Sequence, residues 1–184
     1  MAFNSGFPTR FPEDRPLDAD LGAWWVLHVK PNCEKMVATY LLNRGISYFL
    51  PMYRKRQRMG HFKRFKIVEE PLFRGYLCFA LDKESHGLLY DTKKLVRIIQ
   101  VEDQEKFVQE LDAIAKAAEH VEDLVVKPGL VPGKKVLILS GPLEGAVGVV
   151  LRRHDAKRLA LSVEMFNQTV LVKLDPYTEV EVVS

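Results

Sequence analysis

The spacing of apolar residues changes period repeatedly over the first two thirds of the chain and then settles into one rhythm. The run Trp24-Trp25-Val26-Leu27-His28-Val29 is β-prone and apolar on both faces except at His28, which predicts a central strand covered on both sides. Pro31 ends it, and Asn32 is placed to cap a helix whose Met36, Val37, Tyr40 and Leu41 share one face and which stops at Gly45. A strand over 46–50 comes next. Two extended arms over 53–58 and 62–69 then meet at Met59-Gly60-His61. Beyond Pro71, residues 75–81 read as a strand with Tyr76, Cys78 and Ala80 on one face and Leu77, Phe79 and Leu81 on the other. A short helix over 84–90, a strand over 96–101 and an Asp103-capped helix complete this part. The helix carries its stripe on Phe107, Val108, Leu111, Ile114, Ala115 and Ala118.

The stripe is lost after residue 118, and Pro128-Gly129 and Pro132-Gly133 punctuate the next stretch. Every later element is a strand, over 136–139, 146–151, 159–163, 169–174 and 179–183, which predicts a small closed or nearly closed barrel. Gly141, Gly145 and Gly148 suit turns and close backbone approach between its first two strands. The expected organisation is a flexible leader over 1–22, a mixed module over 23–120, a linker over 121–127 and a barrel over 128–184. The fold class is α+β.

Composition narrows the possible chemistry. An apolar fraction of 47% and a charged fraction of 28% describe a globular protein, and no apolar run is long enough to span a bilayer. The first residues lack the apolar core of a signal peptide, so a cytoplasmic location is expected. Cys33 and Cys78 lie far apart without CxxC spacing, and His28, His61, His86, His120 and His154 are scattered. No metal and no cofactor are expected. Net charge is only +3, but Arg54, Lys55, Arg56, Arg58, Lys63, Arg64 and Lys66 fall in one run without an acid. Charge is focused, and Phe62 and Phe65 interleave it. Cations that neutralise phosphates beside aromatics that stack on bases make a nucleic-acid contact, although the same run also reads as a solvated hairpin.

Three segments in this order resemble the NusG family of transcription elongation factors. Trp24-Trp25-Val26-Leu27 resembles the opening strand of that family's N-terminal (NGN) domain. Pro71-Leu72-Phe73-Arg74-Gly75-Tyr76-Leu77 resembles its Phe-Pro-Gly-Tyr-Val segment, with Arg74 in place of the usual proline. The glycine pattern Gly141, Gly145 and Gly148, with Val163-Glu164-Met165-Phe166 downstream, resembles a KOW domain. Glu70-Pro71-Leu72-Phe73 and Leu50-Pro51-Met52 look closer to the operon-specific antiterminators of the RfaH, LoaP and capsule-locus kinds. The resemblance implies an NGN-like antiparallel sheet flanked by helices, followed by an SH3-like KOW barrel. RfaH can hold its C-terminal domain as a helical hairpin, but Val147, Val149, Val150, Val163, Val170 and Val172 here favour strand.

The resemblance also implies sites. Trp24, Phe73 and Tyr76 take the aromatic positions that grip the clamp helices of the RNA polymerase largest subunit, though each also reads as core. Lys30, Tyr40 and Arg44 lie on the segment that contacts non-template DNA in the specialised members, and with the basic run they form the candidate contact to that strand or to nascent RNA. Tyr40 equally suits the core. Met165 and Phe166 take the place of the apolar loop that meets ribosomal protein NusE or Rho, and equally suit barrel packing. A monomer without membrane attachment is implied, which suppresses pausing or termination and recruits a second partner through the barrel.

Two other classes compete with this one. A ribosome-associated or RNA-binding KOW protein acting in translation is the alternative. Arg74-Gly75-Tyr76 opens like the first signature of an RNA-recognition domain, but Leu77, Cys78 and Leu81 replace its small residue and stacking aromatics. An enzyme is not expected, because the chain has no phosphate loop, nucleophile elbow or metal spacing, and Glu69-Glu70 reads as the acidic end of a strand.

Overall fold

The computed structural model describes residues 7–60, 64–120, 124–153 and 156–183. In chain order its elements are β1 (Arg10–Phe11), β2 (Trp24–Val29), α1 (Glu34–Leu42), β3 (Ser47–Phe49), β4 (Met52–Arg58), β5 (Phe65–Pro71), β6 (Tyr76–Ala80), β7 (Leu95–Gln100) and α2 (Gln104–His120). Then come β8 (Val125–Pro128), β9 (Lys135–Ile138), β10 (Val147–Arg153), β11 (Ala156–Val163), β12 (Gln168–Lys173) and β13 (Val180–Val182). Single-turn 3-10 helices at Leu17–Ala19 and Glu164–Phe166 and a longer one at Lys83–Thr92 fill three of the connections. Among the described residues no helix is long and apolar enough to cross a membrane.

Five strands form an antiparallel sheet in the order β1-β3-β6-β2-β7. β2 sits between β6 and β7, as its two apolar faces require. One face of this sheet buries Leu27, Leu77 and Phe79 against Val37 and Leu41 of α1. The other buries Trp24, Val26 and Cys78 against Phe107, Leu111 and Ile114 of α2. The Asp103 carboxylate accepts the Lys106 N–H at 3.0 Å and caps α2 as its sequence predicts. Asn32 does not cap α1: it takes a left-handed turn (φ 60°), and Cys33 precedes the helix without a side-chain cap bond.

The leader is not loose where it is described. Arg10 and Phe11 pair with Phe49 and Tyr48, Leu17 is buried, and its carbonyl accepts the Trp24 indole N–H at 2.8 Å. Prolines suppress regular periodicity without preventing a segment from closing a sheet edge and a core.

β4 and β5 form a separate two-stranded hairpin, closed at its base where the Leu72 N–H donates to the Pro51 carbonyl at 2.7 Å and tied to α1 by the Lys35 ammonium, which donates to the Glu69 carbonyl at 3.3 Å. The C-terminal part is a six-stranded antiparallel sheet in the order β13-β9-β10-β11-β12-β8. Its sixth strand, β8, includes residues expected in the linker: Val125, Val126 and Lys127 pair with Leu171, Val170 and Thr169. Gly148 is obligatory where β10 crosses β11, since a Cβ there would sit 2.7 Å from the Ala160 carbonyl oxygen. One apolar core runs from the α2 face of the first sheet into the second, and it contains Phe73, Phe107, Leu124, Leu159, Val163 and Phe166 together.

Candidate functional site

Two regions gather the residues that the sequence singled out. The first is a seam between the two sheets. Gly75 adopts φ 81°, and its N–H donates at 2.6 Å to the Glu34 carboxylate, which is buried at the start of α1. That pin fixes the turn from Phe73 into β6, closed by a Tyr76 N–H to Phe73 carbonyl bond of 3.2 Å. Phe73 and Tyr76 are thereby presented on the α2 side, with His28 stacked behind Tyr76 at 5.1 Å. From the other sheet, the 3-10 turn between β11 and β12 ends at Asn167 in the left-handed region (φ 49°) and drives Phe166 into this cluster. Its ring lies 4.8 Å from Phe73, 5.1 Å from Tyr76 and 6.3 Å from Phe107. Offset, tilted and edge contacts at these separations add about 0.5–1.5 kcal/mol per pair beyond the burial itself.

A polar rim surrounds the rings. Lys106 pairs with Glu164 at 2.6 Å, the Glu164 N–H donates to the Glu110 carboxylate at 3.2 Å, and the Lys116 ammonium donates to the Glu144 carbonyl at 3.0 Å. Burial pushes the Glu110 carboxyl up to about 7, with the Glu164 charge adding to it, while the Glu164 N–H, Lys106 and Lys135 pull the other way. Lys106 is raised, chiefly by its bond to Glu164.

The seam changes three expectations. Trp24 is core, 3% exposed and tied to the leader. Phe73, 1% exposed, and the half-buried Tyr76 lie under Phe166 and do not form an open concavity. Phe166 is 5% exposed with Met165 partly buried beside it, so neither stands out as an anchor. Sequence reasoning placed Phe107 on the buried stripe of α2 but did not connect Lys106, Glu110 or Glu164 to the site. Nothing local marks a contact made across 54 residues of chain.

The second region is basic. On α1, Arg44 lies over the Tyr40 ring at 3.6 Å, and the Tyr40 hydroxyl donates to the Leu88 carbonyl at 2.6 Å, so this tyrosine is half-buried and engaged. Lys30 is exposed, with its ammonium 3.3 Å from the Lys93 carbonyl. On the hairpin, Arg54 pairs with Glu69 at 3.7 Å and Lys55 with Glu70 at 2.7 Å. Arg74 also bonds Glu70, whose carboxyl lies below the usual range because of its hydrogen bonds to Lys55 and Arg74. Charges at the base are therefore compensated. Toward the tip Arg58, Arg64 and Lys66 are exposed, and the Met59 N–H to Arg64 carbonyl bond of 2.9 Å closes the turn. Lys63 and the Arg56 side chain lie outside the described residues. Among the described residues no group of three or more His, Cys, Asp or Glu is arranged to hold a metal ion. Burial pushes the Cys78 thiol far up, away from any thiolate chemistry.

A family model described as transcription termination factor NusG matches residues 22–117, just over half of the chain. No curated protein matches in sequence. Among solved structures, one of Thermotoga maritima NusG, described by its domain interaction, is 19% identical with a TM-score of 0.45, covering 88% of this chain and 97% of its own.

Proposed function

The chain belongs to the NusG family of transcription factors, and on that premise we propose that it is an elongation and antitermination factor whose two protein-binding surfaces hold each other closed at rest. The N-terminal domain grips the clamp helices of the RNA polymerase largest subunit through Phe73 and Tyr76, suppressing pausing or termination. The KOW domain recruits NusE or Rho through Met165 and Phe166. Lys30, Arg44 and the basic hairpin contact the non-template strand or nascent RNA. No step is chemical; the factor works by binding and tethering.

One observation carries this reading: Phe166, the candidate recruiting residue, fills the space between Phe73 and Tyr76, the candidate polymerase-binding residues. An apolar helix needs the same uncovered anchors that Phe166 now covers. Either partner therefore competes with closure, and binding of one exposes the surface for the other. Apparent affinity falls with the fraction of molecules that are open.

The test is association of the full chain with purified RNA polymerase. Phe166→Ala binds more tightly than the parent chain because the surface is uncovered, and Glu164→Lys, which reverses the rim pair without touching the rings, changes binding in the same direction. Adding Tyr76→Ala to either variant removes the gain. Equal binding by all these proteins would falsify the reading.

A further inference from the structure

We propose that one face of the β4–β5 hairpin is a stacking platform for an unpaired nucleic-acid strand, with Phe65 and Ile67 as the surfaces that bases lie on and Arg58 as the phosphate contact. This rests on the reading that the hairpin meets nucleic acid, and it narrows that contact to a face, an end and a strand state.

The register separates the two faces. Phe65 stands across from Arg58 and Ile67 across from residue 56, so positions 65 and 67 share a face, while Lys66 and Val68 turn to the other. Both faces are anchored at the base, where Tyr53 of the second packs against the central core and Met52 of the first is buried on the α1 side, and they part toward the tip, where the second carries the exposed polar Gln57 and Lys66. The tip half of the first is apolar and exposed, with Phe65 54% and Ile67 71% exposed. Two large apolar side chains two positions apart on a projecting strand have no part in the core of the fold, and they are the residues a hairpin built only for solubility would replace.

Charge along the hairpin then selects the occupant. Both acids, Glu69 and Glu70, are at the base and are held by Arg54, Lys55 and Arg74. The tip half has none, and Arg58 and Arg64 extend there into solvent beside Phe65. A polyanion fits the tip, and the apolar surface between the cations requires that polyanion to bring exposed flat apolar groups of its own. Unpaired bases do so. A duplex keeps its bases stacked inside and offers this face only phosphates and sugars, which reward the arginines and not the apolar surface of Phe65 and Ile67.

The experiment uses the full chain without polymerase, so its outcome is separable from the clamp reading. Labelled oligothymidylate of about ten nucleotides and a duplex of the same length are titrated at several salt concentrations. The parent chain is expected to prefer the single strand. Phe65→Ala is expected to weaken single-strand binding roughly tenfold with the salt slope unchanged, and Phe65→Tyr to restore it. Arg58→Ala is expected to lower the salt slope by about 0.7, the release expected for one phosphate contact on a single strand. Salt-sensitive binding that is as tight to duplex as to single strand, or that Phe65→Ala and Ile67→Ala leave unchanged, overturns the platform while leaving the nucleic-acid reading in place. Absence of binding to either probe at low salt overturns both.

Discussion

The seam around Phe166 and the hairpin around Phe65 present the same side chain in opposite circumstances. Phe166 is 5% exposed in a cluster of three other rings, whereas Phe65 is 54% exposed on a strand that projects from the body. At the seam, Lys106 pairs with Glu164 across the two surfaces, and Lys116, whose ion pair to Asp112 stays within α2, donates across them to the Glu144 backbone carbonyl. On the hairpin the pairs are internal to its base, and the tip is left cationic. A surface built to open and close must be apolar enough to seal and polar enough at its rim to release. A surface built for constant access to a polyanion keeps its rings out and its acids away.

The largest effect that separates the two is on stability. Phe73→Ala empties a fully buried position and is expected to cost about 3–5 kcal/mol, while Phe65→Ala stays within about 0.5 kcal/mol of the parent. Denaturant midpoints on the full chain measure both. Similar shifts for the two variants would erase the distinction between a sealed and an open aromatic site.

Next in size is a pH dependence confined to the seam. Glu110 is held up to about 7 by burial against the second sheet, and opening returns it to the ordinary carboxylate range. The closed form therefore binds the proton more tightly. Closure is strongest below the ordinary carboxylate range and weakens as pH rises through about 7. Glu110→Gln mimics the protonated group and is expected to leave closure insensitive over that window, as read by fluorescence transfer between labels on the two sheets. Polymerase association should track the same curve, rising with pH in the parent chain and flat in the variant. A parent chain whose transfer does not change across that window would show that Glu110 is not held by closure.

Most of the sheet architecture is legible in the residues, because periodicity reports which faces are covered. The two apolar faces of Trp24–Val29 predict its place between β6 and β7, and the valine-rich C-terminal runs predict five of the six strands there. The periodicity does not say what provides the cover. Trp24 reads equally as interface or core until Leu17 is seen above it, and Phe166 reads as an anchor at a turn because its four-ring cluster is assembled from three distant segments. β8 is missed for a related reason: four residues around a proline gain strand character only from pairing with β12. The hairpin is the opposite case. Its chemistry is local, so the cationic run and its phenylalanine are visible without the fold, and only the division into faces needs the register.

The smallest predicted effect tests whether the rim is coupled to the half-buried Glu110 carboxyl. Lys106→Met keeps the side-chain stem, removes the bond to Glu164, and is expected to loosen closure by only about 0.2–1 kcal/mol, the usual worth of a partly exposed ion pair. Its second consequence is more diagnostic. Lys106 is one of the charges that pull the Glu110 carboxyl down, so its loss should move the pH at which closure weakens upward. Lys55→Met is the matching change on the hairpin, where Glu70 keeps Arg74 and Lys55 is not among the charges acting on Glu110. It should leave the closure curve where it was. If Lys106→Met also leaves it in place, the rim pair and Glu110 act independently, and the seam is held by its rings alone.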